Sequence, residues 1–345
     1  MRLTQFVFTG LTVVGLASAV MANGRNPGSL LLFPEFDNRT ANLTLVTVTN
    51  TNGDMTPVAG NALAGTVNVE FVYIGKYGPN GQVLDCFEFN RTETLTPNDT
   101  LTVITSAHNP QMEQGYLYVF AKDRSTGAAK VWNHLIGNEM TIEGITALDY
   151  SLNPISYKGI GNGTITDLDG DGNRDLDGLE YEAVPDEILI PRFLGQGGTT
   201  NSELILIALS GGRAFTTVVN FWIYNDNEEA FSAQFAFDCW ERARLTVISG
   251  IFLETFLDTT NDAPNEILGA TSRESGWMRV YGATAFSTAE QIQDPAIYAV
   301  LVERISMHGA SDLPFESVAL QDNASLLPLG IFGDGDPVPM NGDNQ

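Results

Sequence analysis

The densest chemistry in the chain is an acidic string at residues 167–180, Asp-Leu-Asp-Gly-Asp-Gly-Asn-Arg-Asp-Leu-Asp-Gly-Leu-Glu. Asp167, Asp169, Asp171 and Asp175 take positions 1, 3, 5 and 9 of this string, with Gly172 at position 6. Alternate spacing lets short carboxylates converge on one point while the backbone wraps it, and glycine permits the sharp turn. Asn173 at position 7 can add its backbone carbonyl, and Asp177 or Glu180 can close the sphere. So many carboxylates repel one another without a cation, which couples ion binding to loop order. Ca²⁺ takes roughly 6–8 oxygen ligands, whereas Mg²⁺ holds on to its waters. The spacing therefore predicts a Ca²⁺ site with Asp167, Asp169, Asp171, Asn173, Asp175, Asp177 and Glu180 as its ligand set.

This Asp-x-Asp-x-Asp-Gly-x-x-Asp pattern resembles the calcium loops of integrin-type propeller repeats, thrombospondin type 3 repeats and dockerins. The resemblance covers residues 167–180 alone and implies the ion. An EF-hand would carry a bidentate glutamate at position 12, where Gly178 stands, and the flank Gly159–Thr166 has no helical pattern. A helix-loop-helix hand is not expected.

Elsewhere the residues read as structural. His108, His134 and His308 lie far apart, and neither a Gly-x-Ser-x-Gly elbow nor a Gly-x-x-x-x-Gly-Lys phosphate loop occurs. Glu88 and Glu241 each follow a cysteine by two residues and so share its strand face. A carboxylate pair could do glycosidase chemistry. These two fall in different halves of the chain, however, and pairing with Arg91 and Arg244 is the expected role. Cys86 and Cys239 read either as two equivalent buried thiols or as one bridge linking the repeats, and the thiols are favoured because bridged Cα atoms must lie within ~7 Å. Trp132, Trp222, Trp240 and Trp277 fall in predicted strands, where an aromatic is expected in the core rather than on a sugar-stacking platform. Asn38, Asn42, Asn90, Asn98, Asn162 and Asn323 head Asn-x-Ser/Thr sequons.

The elements that must position these residues recur. Leu31–Phe36 returns as Ile188–Phe193, Leu43–Asn50 as Leu204–Gly211 and Val67–Tyr73 as Thr217–Ile223. Asp85-Cys86-Phe87-Glu88 returns as Asp238-Cys239-Trp240-Glu241, Gly115–Phe120 as Gly276–Tyr281, and Val131-Trp132 as Ile297-Tyr298. Loops absorb insertions and strands do not, so this ordered series predicts two copies of one β unit. Period-two alternation supports strands: Val67, Val69, Phe71 and Tyr73 share one face, with Asn68 and Glu70 on the other. The one good helix start is Ser287-Thr288-Ala289-Glu290, limited by Pro295.

The expected fold is all-β: two tandem antiparallel β-sandwich repeats, immunoglobulin-like or jelly-roll, joined by the calcium-loop linker. Residues 1–22 read as a signal peptide, 23–140 as repeat 1, 141–187 as linker, 188–328 as repeat 2 and 329–345 as a disordered tail. In style the whole chain resembles secreted bacterial proteins built from tandem β-sandwiches.

With 42 acidic against 17 basic side chains and a net charge of -25, nucleic acid and anionic lipid would be repelled. No membrane span is expected once the signal is removed. The lysines are Lys76, Lys122, Lys130 and Lys158, and an acidic chain so poor in lysine suits saline surroundings. The expected function is a secreted, calcium-stabilised binding or surface-structural protein, adhesion-like and without catalytic activity. Its place is extracellular, at the cell surface or in the periplasm, with a glycan or protein as partner. A carbohydrate-binding module, a glycoside hydrolase and a self-assembling filament subunit are the alternatives.

Overall fold

The computed structural model describes residues 26–60, 62–258 and 274–326, so the expected signal segment and the 329–345 tail lie outside the described residues. The first half supplies β1 (Leu30–Asp37), β2 (Asn42–Asn50), a small hairpin of β3 (Pro57–Val58) and β4 (Ala62–Leu63), and β5 (Val67–Gly78). It continues with β6 (Gln82–Leu95), β7 (Thr100–Ile104), β8 (Gln114–Lys122), β9 (Leu135–Glu143), β10 (Leu148–Leu152) and β11 (Ile155–Tyr157). Of two short strands, β12 (Arg174–Asp175) lies within the acidic string and β13 (Val184–Pro185) follows it. The second half supplies β14 (Ile188–Leu194), β15 (Glu203–Ala208), β16 (Thr216–Asn225), β17 (Ala230–Asp238) and β18 (Trp240–Arg244). After these come β19 (Ser275–Phe286), β20 (Gln291–Gln293), β21 (Ile297–Ile305) and β22 (His308–Ser311). The last three are β23 (Phe315–Glu316), β24 (Leu320–Gln321) and β25 (Ser325–Leu326).

The all-β reading holds. Each of these strands pairs antiparallel, and helix among the described residues is confined to turns such as Thr105–His108, Leu245–Ile248 and Glu254–Leu257. No helix among them is long and apolar enough to cross a membrane. Ser287 does accept from the backbone N–H groups of Ala289 and Glu290, as a cap would, but the chain turns into β20 instead of a helix. Pairing of β20 with β19 satisfies the backbone there, so the tertiary ladder overrides the local signal.

Strand order is the same in the two halves. The first half has sheets β11-β1-β8-β5-β6 and β10-β9-β2-β7; the second has β23-β14-β19-β16-β17 and β22-β21-β15-β18. Register agrees as well: Phe36 faces Gly115 and Phe33 faces Leu117, as Phe193 faces Gly276 and Ile190 faces Met278. Both ladders slip between these pairs, at Pro34 and Pro191, because proline lacks the N–H a continuous ladder needs.

Two of the six sequence matches have different places in the sheets. Val131-Trp132 precedes β9, whereas Ile297-Tyr298 opens β21. Asp85-Cys86-Phe87-Glu88 lies near the start of β6, but Asp238-Cys239 lies where the chain leaves β17 for β18. These are opposite ends of their hairpins.

That difference corrects the reading of the cysteines. Cys86 and Cys239 are bridged, with Cα atoms 6.4 Å apart. Equivalent positions in two bodies would stay apart; positions at opposite hairpin ends can meet. Leu84, Asp85 and Cys86 bulge out opposite Lys76, and Asp85 and Cys86 take positive φ, which delivers the first sulfur to the seam. Around the bridge Lys76 pairs with Asp238 at 3.1 Å, and Trp240 Nε1 donates to the Pro34 carbonyl at 2.8 Å.

β1 is buried on both faces. Leu31, Phe33 and Phe36 join Val46, Val48, Phe71, Tyr73, Leu117 and Leu135 in a core lined by both sheets of the first half. Leu30 and Leu32 look the other way, with Val72, Ile74, Tyr116, Tyr118 and Phe120, into an apolar cluster continuous with Ile188, Leu206, Phe221 and Trp240 of the second half. Fully burying one such side chain contributes about 1.5–3 kcal/mol, so the seam is part of the folding core. The edges of the two four-stranded sheets also meet. A Cβ on Gly309 of β22 would sit 2.4 Å from Leu148 Cδ1 and 3.0 Å from the Asp149 carbonyl of β10, so a side chain there would have to push Leu148 aside.

Candidate metal centre

The acidic string is clamped at its base and free at its tip. Before it, Gly159 bridges to Tyr181 and Lys130 to Ile165, while the Thr166 and Tyr181 hydroxyls meet at 2.9 Å. Within it, β12 pairs with β25, so Arg174 and Asp175 lie against Leu326 and Ser325. Leu176 and Tyr181 are fully buried, and the Arg174 guanidinium lies 4.6 Å over the Phe120 ring while donating to the Gly172 carbonyl. Residues 167–173 stand out between these anchors. Gly170, Gly172 and Gly178 have φ near +80°, where a side chain would be strained.

Five of the expected ligands come together. Carboxylate oxygens of Asp167, Asp169 and Glu180 lie within 4.8 Å of one another, and so do those of Asp169, Asp171 and Asp175. Asp169 belongs to both groups. The wrap is set by side chains accepting backbone N–H groups two or three residues on: Asp167 from Gly170 at 2.8 Å, Asp169 from Asp171 at 3.1 Å and Asp171 from Asn173 at 2.7 Å. Glu180 is nearly buried and reaches back to the Leu168 N–H, which fixes the far wall.

One expected carboxylate sits differently. Asp177 lies outside both groups, its Oδ1 accepting from the N–H groups of Leu179 and Glu180. The Asn173 amide donates to Asp171 at 2.5 Å.

The electrostatics match a crowded anionic site. Burial pushes the Asp175 carboxyl up to about 7, helped by repulsion from Asp171, Glu180, Asp169 and Asp177. Glu180 is raised as well, chiefly by burial. A cation would relieve this repulsion. An all-oxygen carboxylate set suits a hard divalent ion rather than zinc or copper, which prefer nitrogen and sulfur.

The remaining sequence candidates do other work. Glu88 is not paired with Arg91: it accepts from Asn90 at 2.5 Å, while Arg91 donates to the His108 carbonyl. Burial, with repulsion from Glu70, pushes Glu88 up to about 7 against the pull of the Asn90 amide. Glu241 accepts from Tyr77 at 3.3 Å, and Arg244 lies beside Glu203 instead. His108 bonds to Tyr73 through Nδ1 at 2.8 Å and lies against Phe71. The tryptophans divide: Trp240 is buried and Trp132 half-buried, but Trp222 and Trp277 are exposed, contrary to the expectation that all four are core.

Sequence reading missed a buried charge network at the seam. Arg242 of β18 reaches Glu35 of β1 at 2.9 Å, Glu143 of β9 at 2.6 Å and Glu203 of β15 at 2.7 Å. Tyr150 donates to Glu35, and Arg304 donates to Glu143 at 2.8 Å. Burial raises Glu35 despite Arg242 beside it, and Glu139 is raised well above the usual carboxylate range by burial and by Glu35. The available signal was Glu35 itself, a lone charge within the apolar run Leu30–Phe36.

No family model and no curated protein matches this chain.

Proposed function

We propose that the chain is a calcium-stabilised binding or surface-structural protein of the cell exterior, built from two β-sandwich repeats whose junction is held by an ion in the 167–180 loop. The shared strand order and register of the two halves support the repeats, of immunoglobulin-like or jelly-roll type. Export is supported by the signal-like residues 1–22 and fits the disulfide, which persists in oxidising compartments.

One observation carries the reading. The carboxylates gathered within 4.8 Å belong to a loop tied at once to the first half, through Arg174 on Phe120, and to the end of the second, through Leu176 N–H to the Ala324 carbonyl at 2.8 Å. An ion there orders a clasp across the seam, and two binding faces then keep a set geometry. Ca²⁺ is the ion of choice because the loop offers several flexible oxygens rather than a rigid octahedron.

Calorimetric titration of the exported chain with Ca²⁺ tests this. Expected is one saturable site, weakened at least 10-fold by Asp169→Asn, since Asp169 serves both carboxylate groups. Absence of heat in the wild type, or an unchanged isotherm in the variant, contradicts it.

A further inference from the structure

The face of β16 and β19 that points away from the core is aromatic. Along β16, Val219, Phe221 and Ile223 are buried, and Asn220, Trp222 and Tyr224 alternate with them on the other face. Register places Tyr224 beside Trp277, Trp222 beside Arg279 and Asn220 beside Tyr281. Trp222 and Trp277 keep 43% and 39% of their surface exposed. An outward sheet face is ordinarily polar, so contiguous open aromatics on neighbouring strands mark a contact surface.

The first half shows what this face does when it is covered. At the same place in the sheet order β5 and β8 present Val72, Ile74, Tyr116, Tyr118 and Phe120, all buried in the seam cluster. The second half leaves the matching face open and gives it larger, amphipathic rings.

Those rings are already held. Trp222 Nε1 donates to the Tyr281 hydroxyl at 2.7 Å, and the Tyr224 and Trp277 rings stack with centroids 4.6 Å apart and planes 10° apart. Arg279 is fixed by Glu187 at 2.5 Å, and Gln234 donates to Asn220 at 2.8 Å. Rigid aromatics lose little conformational entropy on binding. Their ring faces suit flat C–H surfaces, while the amides and the Arg279–Glu187 pair offer hydrogen bonds at the rim.

We propose that this face, centred on Trp222, Tyr224, Trp277 and Tyr281, binds a neutral polysaccharide. Sugar rings present both an apolar C–H face and a ring of hydroxyls, which matches rings interleaved with amides. Nucleic-acid bases also stack on aromatics, but a chain of net charge -25 repels their phosphates, and it disfavours acidic glycans for the same reason. The same charge opposes a second copy of the chain. The proposal rests on the binding reading above and gives it a ligand class, without requiring the calcium loop for contact.

The test is affinity electrophoresis of the full exported chain in gels containing hydroxyethylcellulose, laminarin, galactomannan or xylan, with alginate and polygalacturonate as anionic counterparts. Retardation by at least one neutral polymer and by neither anionic one is expected. Trp222→Ala and Trp277→Ala should each weaken it at least 10-fold with the circular dichroism spectrum unchanged. Trp222→Phe, which keeps a ring, should retain part of the affinity even if an alanine variant folds poorly. Met55→Ala, at an exposed apolar residue of the first half, should bind as wild type. No retardation by any neutral polymer, wild-type binding by both alanine variants, or a dimer in sedimentation that Trp222→Ala dissolves would overturn the proposal. The gels are repeated with EGTA beside the calcium titration. Retained retardation without calcium heat sinks the calcium reading alone, and calcium heat without retardation sinks this one alone.

Discussion

Arg242 meets three carboxylates with 6% of its side chain exposed, and two of its partners, Glu35 and Glu143, come from the other half of the chain. Removing one member of a buried ion network strands the others. Arg242→Met should therefore destabilise the fold by about 3–5 kcal/mol, and adding Glu35→Gln should recover part of the loss by deleting a stranded charge. Urea denaturation of the two variants measures this, and additive losses would contradict it. Glu88 gives a pH signature. Its ordinary value is 4.5 and burial raises it to about 7 in the fold, so the folded state holds a proton the unfolded state has released. That contribution is full below about 4.5 and is lost as pH rises through about 7. Between pH 5 and pH 8 the wild type should lose up to roughly 2 kcal/mol relative to Glu88→Gln. Parallel stability curves would contradict it. The burial of Glu88 was not legible, because it depends on which sheet covers its strand, whereas Glu35 stood out as the lone charge in the apolar run Leu30–Phe36.

At the scale of elements, alternation made the strands legible: β16 shows period two in the letters and again in its burial. β5 alternates in the letters at its start but is buried on both faces, because the seam covers its outer side. The clustering of the acidic loop was legible too, since five of its six expected carboxylates meet through backbone geometry that aspartate and glycine spacing dictate. Cysteine pairing was not. The echo of Asp-Cys-aromatic-Glu suggested equivalent positions, whereas a bulge in β6 and the crossover from β17 to β18 place the two motifs at opposite hairpin ends. The bridge spans 153 residues of chain, so Cys86→Ala/Cys239→Ala should cost roughly 2–5 kcal/mol while the strand signal in circular dichroism persists. Within the loop, Asp177 serves a turn through one carboxylate oxygen that asparagine also provides. Asp177→Asn should keep calcium affinity within about 3-fold, against the loss of at least 10-fold for Asp169→Asn. Equal losses in the two variants would make Asp177 a ligand.

For the whole molecule, the halves are joined among the described residues by the apolar cluster together with the meeting edges of the four-stranded sheets, by the charge network and the disulfide, and by the loop clasp. The first two need no ion, so calcium removal should leave both halves folded and act at the clasp. Hydrogen exchange reads that location directly. In saturating Ca²⁺ relative to EGTA, amides of residues 159–182 and of the partner strand β25 should exchange at least 10-fold more slowly, with β2, β5 and β16 unchanged. Identical exchange across 159–182 in the two conditions would show that no ion orders the loop and that the clasp is closed by protein contacts alone.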